Sequence, residues 1–265
     1  MNVLITGASS GIGAAAAALL AARGFRVFGA SRNVDAARQR ISRAEWLSMD
    51  VTDEASVDAG VKEVVARAGQ VDALVCCAGF GIFGSIEETS VERTKAQFET
   101  NFFGTLIPIR VVLPAMRERR GGRILVVGSL SGRAPIPFQA HYSASKAAVD
   151  NLVLALRNEV HPYGIFATLI EPGDIRTEFN DRTDWGDVSS SAYAERIRSC
   201  EEVIRKSLPL APGPEVVAAT ILAALTARRP RVRYTVGPDA RLVPFARRLL
   251  PDAWSLAAIR RHFRV

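Results

Sequence analysis

The chain has 265 residues, 48% of them hydrophobic and 23% charged, and carries a net charge of +7. That length holds one large α/β domain with a full core or two small ones, and the composition excludes a disordered chain. No run of about 18 apolar residues occurs and the opening MNVLITGASSG has no basic leader region, so neither a transmembrane helix nor a signal peptide is expected.

The basic excess is mostly arginine scattered along helices, with short clusters at 117–120 and 228–233. An anionic ligand and solvated helix faces account for it, and nucleic acid is not expected as a partner. Three cysteines, two of them neighbours, do not make a disulfide framework, so a reducing cytoplasm is the expected setting.

In chain order, apolar runs at 2–6, 26–30, 45–49, 71–77, 123–129, 166–171 and 231–236 read as strands. Most are unbroken rather than alternating, as in a parallel sheet covered on both faces. Segments between them, among them 13–23, 56–67, 91–117 and 144–160, have helical periodicity. The alternation predicts one α/β domain, a doubly wound parallel sheet of about seven strands with helices on both faces. From about 174 the chain turns polar and aperiodic (TEFNDRTDWGDVSSS), which reads as a substrate lid over about 174–200. The last stretch, 238–265, reads as two short amphipathic basic helices.

The first strand runs into Gly7-Ala8-Ser9-Ser10-Gly11-Ile12-Gly13 and then an alanine-rich helix. Glycines let backbone amides approach an anion, and a helix start offers unpaired N–H groups, so the turn suits a pyrophosphate. Its spacing is neither G-x-G-x-x-G nor a Walker loop. Gly7–Gly11 also satisfies G-x-S-x-G, and His161 or His262 would complete a serine hydrolase order. Only six residues precede Gly7, however, too few for the strands that such an elbow needs.

Three motifs in order, TGASSGIG, CCAG and Tyr142-Ser143-Ala144-Ser145-Lys146, resemble those of the short-chain dehydrogenase/reductase family over roughly 1–179, and more weakly to 237. The nearest pattern is the branch of 17β-hydroxysteroid and retinol dehydrogenases, shared by bacterial ketoreductases. The resemblance implies an oxidoreductase moving a hydride between nicotinamide and a carbonyl or alcohol. The alternative is a non-enzymatic NADP(H)-binding regulator on the same fold, but such regulators lose the tyrosine or lysine, and both are present.

Four residues of helix place Tyr142 and Lys146 on one face. An ammonium near a phenol favours the phenolate, so the tyrosine is expected to titrate below its ordinary range. By resemblance Tyr142 is the general acid or base and Lys146 also holds the nicotinamide ribose. Ser129, thirteen residues before Tyr142, would donate to the substrate oxygen, with Ser131 the runner-up. Asn101 matches the asparagine that the family places in a kinked helix to position a relay water.

For the cofactor, Gly7, Ser9, Ser10, Gly11, Ile12 and Gly13 are the phosphate turn. The second strand ends in Ser31-Arg32-Asn33 without a carboxylate until Asp35. An acidic residue there would select NAD, whereas Arg32, with Ser31 or Ser10, suits a 2′-phosphate, so NADP(H) is expected. Asp50 and Val51 resemble the pair that contacts adenine, although Asp50 would also serve as a helix cap. Cys77, Ala78 and Gly79 lie against the cofactor, with Cys77 where the family has asparagine; Cys76 reads as a small core filler. Pro172, Gly173, Ile175 and Thr177 resemble the segment beside the nicotinamide.

Gly81, Phe83, Pro137, Phe138 and Gln139, with Phe179 and Trp185 of the lid, read as an apolar pocket wall, which favours a small apolar carbonyl or alcohol as substrate. The C-terminal helices are expected to shelter that site, to join subunits, or to touch a membrane surface. By resemblance a homodimer or homotetramer is expected, through the helices of Asn101 and Tyr142.

Overall fold

The computed structural model describes residues 1–186, 191–237 and 249–265. Its strands are β1 (Asn2–Thr6), β2 (Arg26–Ser31), β3 (Glu45–Ser48), β4 (Ala73–Cys76), β5 (Gly122–Val127), β6 (Ile165–Pro172) and β7 (Arg233–Val236). All pair in parallel as one sheet in the order β3-β2-β1-β4-β5-β6-β7.

The helices are α1 (Gly11–Ala22), α2 (Asp35–Arg40), α3 (Glu54–Ala68), α4 (Val91–Phe98), α5 (Gly104–Glu118), α6 (Ala140–Glu159), α7 (Ala194–Ser207), α8 (Glu215–Thr226) and α9 (Asp252–Phe263). Neighbouring strand residues point to opposite faces, and both faces are dry. Val3 and Ile5 pack beneath α1 and α8 with Leu20, Val217 and Ile221. Leu4 between them points the other way, into a core with Val57 of α3, Ile109 of α5 and Val149 of α6. Burial on both sides explains why the strands read as unbroken apolar runs.

The seven expected strands are all present, with ends moved by up to two residues. The helix expected over 91–117 is two helices. A π turn over Glu99–Phe103 separates α4 from α5, and it turns Asn101 inward, fully buried. Pro108 in the first turns of α5 has no N–H to give the carbonyl four residues back, which loosens the helix just where the turn sits.

Of the two helices expected at the C-terminus, the first falls largely on 238–248, outside the described residues; the second is α9. Among the described residues no single helix is long and apolar enough to cross a membrane.

Strand order reverses between β1 and β4, so their carboxyl ends diverge and leave a crevice. The glycine turn after β1, the CCAG segment after β4 and the serines after β5 all open into it.

Candidate active site

The crevice is a cleft of about 950 Å³, and at its floor lies the glycine turn. Gly7 and Gly11 have φ of +64° and +51°, the left-handed region. A Cβ on Gly7 would stand 2.6 Å from the Ala78 nitrogen, and one on Gly13 would stand 2.3 Å from the Gly7 carbonyl oxygen. Side chains there would push the turn off the CCAG segment and off itself. The start of α1 carries no acidic residue and Ser10 makes no side-chain cap, so no side chain of the turn competes for its free N–H groups. This suits a pyrophosphate and its negative charge.

Around the adenosine end, Ser31, Arg32, Asp50 and Val51 line the cleft as expected. The Asp50 carboxylate accepts from the Thr52 N–H at 3.0 Å and the Thr52 hydroxyl at 2.8 Å, which lowers its pKa. The cap of α3 is Asp53 instead, accepting from Ala55 at 2.9 Å. Two arginines not anticipated from the sequence also reach this rim, Arg40 of α2 and Arg182 of the lid.

Pro172, Gly173, Ile175 and Thr177 leave β6 along the opposite wall, and Thr177 sits over Gly11. At the far end Tyr142 and Lys146 face in from α6, both buried. Ser129 and Ser131 face the Tyr142 phenol closely enough that hydrogen bonding from their side chains favours its phenolate. Ser131 donates its own hydroxyl to Ser129 at 2.9 Å and its N–H at 3.1 Å. The strand ends at Val127, so Gly128 and Ser129 have left the sheet and turn toward the tyrosine.

Electrostatics here run against the sequence expectation. Burial pushes the Tyr142 phenol up to about 12, against the pull of the two serine hydrogen bonds. Burial also draws the Lys146 ammonium down to about 8, with Asp150, Cys77 and Cys76 opposing. The ammonium lies 5.8 Å from the tyrosine ring centre and is spent on the Val127 carbonyl at 3.0 Å. Loss of hydration at the phenol outweighs the serine contacts that favour a phenolate.

Asn101 does not line the cleft. Its amide oxygen accepts from the Phe80 N–H at 3.0 Å, and its nitrogen donates to the Phe80 carbonyl at 3.1 Å and the Ser145 hydroxyl at 3.0 Å. It therefore ties the π turn to α6 and to the loop after β4. A Cβ on Gly79 would lie 3.1 Å from the Asn101 amide oxygen and 3.7 Å from Lys146 Nζ, so the two residues flank that glycine. The Asn101 carbonyl accepts from the Thr105 hydroxyl at 2.9 Å.

Behind Lys146 lies a buried charged cluster absent from the sequence reading. Asp150, the next turn of α6, and Glu171 of β6 both grip Arg233 of β7, Asp150 at 2.9 Å, and Arg133 stands 3.5 Å from Glu171. Burial raises Glu171 to about 7, with Arg233 opposing.

The two cysteines part company. Cys76 packs into the core under α3, α5 and α6, and Cys77 packs toward the opposite core and also lines the cleft. Burial raises both thiols, Cys77 to about 12. Neighbours on opposite faces cannot share a metal.

The pocket wall differs from expectation. Gln139 and Phe179 line the cleft, Phe179 against Tyr142 at 5.4 Å between ring centres. Gly81, Phe83, Pro137, Phe138 and Trp185 do not. Phe83 is fully buried and stacks with Trp185 at 4.7 Å and Phe138 at 6.2 Å, supporting the wall from behind. Its backbone N–H donates to Asp184 at 2.8 Å, and Asp184 donates to Gly81 at 2.9 Å, so the lid is stitched to the loop after β4. The exposed wall is Ile136, Val203, Ile204 and Phe263, from a loop, α7 and α9. No local sequence signal marks these residues, because packing of α9 on α7 brings them in. His262 joins the cleft with them, far from Ser9 in the chain.

A glycine cradle for a pyrophosphate at one end and a tyrosine, two serines and a lysine at the other define a nicotinamide-dependent oxidoreductase. Residues 1–186 match the family described as short chain dehydrogenase, and the chain belongs to it. It is 35% identical to a 3-ketodihydrosphingosine reductase of Bacteroides thetaiotaomicron, over 97% of this chain and 96% of that protein. It is 34% identical to human 17-beta-hydroxysteroid dehydrogenase type 1, over 94% and 81%. Among solved structures, a short-chain dehydrogenase from Streptomyces avermitilis superposes with a TM-score of 0.84 at 34% identity, covering 99% of this chain and 95% of that one.

Proposed function

We propose that this protein is an NADP(H)-dependent reductase or dehydrogenase acting on a ketone, aldehyde or secondary alcohol with an apolar skeleton. The observation that carries the reading is the joint approach of Tyr142, Ser129 and Lys146 at the end of a cleft whose other end is a glycine cradle. When bound, the nicotinamide supplies or accepts the hydride. The side chains handle the oxygen and the proton.

Ser129, with Ser131 bonded to it, donates a hydrogen bond to the substrate oxygen as charge develops there. Tyr142 gives the proton in reduction and takes it in oxidation. Lys146 holds the ribose and steadies charge beside the phenol. Asn101 keeps α6 and the Phe80 loop in register, and its role in a proton relay is part of this proposal. Gly7, Ser9, Gly11, Ile12 and Gly13 hold the pyrophosphate, and Arg32 the 2′-phosphate. Asp50 and Val51 meet the adenine, while Ala78, Gly79, Pro172, Gly173, Ile175 and Thr177 border the nicotinamide half.

The apolar substrate class is supported by Ile136, Phe179, Ile204 and Phe263 on the wall, and by the names of the two relatives, a ketodihydrosphingosine reductase and a hydroxysteroid dehydrogenase. Leu250 just before α9, Trp254 and Leu256 on it, and Arg260 and Arg261 in its last turn are all exposed, which supports a membrane-surface contact. Members of the family are typically oligomeric, and Phe103, 40% exposed beside Asn101, supports assembly through this face. The free thiols fit a cytoplasmic setting.

The test is NADPH oxidation over a panel of apolar ketones, aldehydes and steroids, with Tyr142→Phe alongside. Turnover lost in the variant while NADPH still binds supports the enzyme. Tight NADPH binding with no turnover of any substrate favours a cofactor-binding regulator.

A further inference from the structure

The lid crosses the cleft at its adenosine end and is held there by charge. Arg182 donates to the Ser10 hydroxyl at 2.7 Å, joining the lid to the glycine turn across 172 residues of sequence. The Glu178 carboxylate, one helical step away, accepts from Arg182 at 2.9 Å and from Arg40 of α2 at 3.2 Å. All three cations of this rim, Arg32, Arg40 and Arg182, line the same cleft as Ser10. The Glu178 carboxylate spans two of them, and a second acid close by, Asp50, takes its hydrogen bonds from Thr52 and faces the charge of Arg32.

Three guanidinium groups against these two carboxylates leave about one positive charge in excess, and displacing Glu178 from its bridge exposes a second to a phosphate monoester, which brings about two negative charges at neutral pH. Arginine forks match phosphate oxygens, and the end of β2 is where this fold discriminates a ribose 2′-phosphate from a free hydroxyl. We propose that Arg182 and Arg40 complete the 2′-phosphate site with Arg32 and Ser10, Glu178 standing in for the phosphate until the cofactor arrives. This rests on the NADP(H) reading above and extends it to the lid.

A consequence for the substrate follows from the neighbours of Glu178. The next residue, Phe179, packs on Tyr142 and lines the substrate end. A phosphate held by Arg182 therefore fastens the segment that sets that wall, whereas a cofactor without the phosphate leaves the adenosine end of the lid on its Ser10 and Glu178 contacts. The phosphate then selects the cofactor and also steadies the pocket wall.

Calorimetric titration with 2′,5′-ADP and with 5′-AMP separates the parts. The wild type binds 2′,5′-ADP more tightly than 5′-AMP; equal affinities would sink the NADP(H) reading itself. Given that preference, Arg182→Gln and Arg40→Gln each weaken 2′,5′-ADP by about tenfold and leave 5′-AMP unchanged, as loss of a charge-assisted contact predicts. Glu178→Gln, which frees both arginines, tightens 2′,5′-ADP. If the arginine variants bind both nucleotides as the wild type does, or lose both equally, the three-arginine site is wrong while the cofactor reading stands. For the lid, trypsin cleavage after Arg176 or Arg182 in the wild type is slowed by saturating NADPH more than by saturating NADH. Equal protection would overturn the coupling.

Discussion

The Lys146 ammonium donates to the Val127 carbonyl at 3.0 Å, which pins the cation of α6 to the last residue of β5. The bond holds the lysine beside Tyr142 and keeps it out of water, and the two effects oppose each other. The fold holds a charge where its hydration is lost, for the sake of the site.

The cost of that lysine is measurable. A free lysine titrates near 10.5 and Lys146 near 8, because burial disfavours its charge. Between those values the unfolded chain holds the extra proton, so stability rises with pH across the window, and the penalty is fully present below it. At neutral pH it amounts to roughly 3 kcal/mol, from which the lost Val127 hydrogen bond subtracts about 1. Lys146→Met therefore unfolds at a temperature a few degrees higher than the wild type at neutral pH, while turnover is lost. Calorimetric scans along a pH series check it, and the advantage shrinks as pH passes from 8 toward 10.5.

For Tyr142, the phenol at about 12 in the protein alone sets the pH profiles. Carbonyl reduction needs the protonated phenol, so the tyrosine leaves kcat/KM for reduction flat through neutral and mildly alkaline pH, and any fall near pH 8 reports loss of the Lys146 charge. Oxidation needs the phenolate and rises with pH over the same range. Tyr142→Phe lowers kcat in both directions by about a hundred- to ten-thousandfold and leaves NADPH affinity within a few fold. Profiles in both directions, with cofactor titration by fluorescence, settle these expectations.

Arg233 is the counter-ion of two buried carboxylates. Arg233→Met takes the cation from Asp150 and leaves Glu171 only the more distant Arg133, and breaking such a group costs about 3–5 kcal/mol when the acids are ionised. Glu171 is already raised by burial, so the fold prefers its protonated form, and that preference is lost as pH rises through about 7. The variant's deficit in urea unfolding is larger in mildly alkaline buffer than in mildly acidic buffer. An equal deficit at both would mean that Arg233 acts through packing alone.

The thiols are expected to be quiet. Burial raises all three, Cys77 and Cys200 to about 12, so little thiolate exists near neutrality. Iodoacetamide labels none of them in the native protein and all three once it is unfolded, as read by mass spectrometry. Rapid native labelling of Cys77 would instead show a reactive thiol at the cleft.

Local sequence determined a great deal here. Unbroken apolar runs marked seven strands, since a sheet dry on both faces has no polar side to interrupt it. The glycine turn, the Tyr142–Lys146 spacing and Ser129 were legible because each depends on backbone within a few residues. What only the tertiary structure decided depends on contacts between distant segments. It split one helix at Asn101, moved Phe83 and Phe138 behind the wall, and brought Ile204 and Phe263 to the front of it. It buried Tyr142 deeply enough to reverse the direction of its expected pKa. It also brought Arg182 onto Ser10, and Arg233 between Asp150 and Glu171. Burial and long-range charge pairing are properties of the packed chain, and no window of sequence carries them.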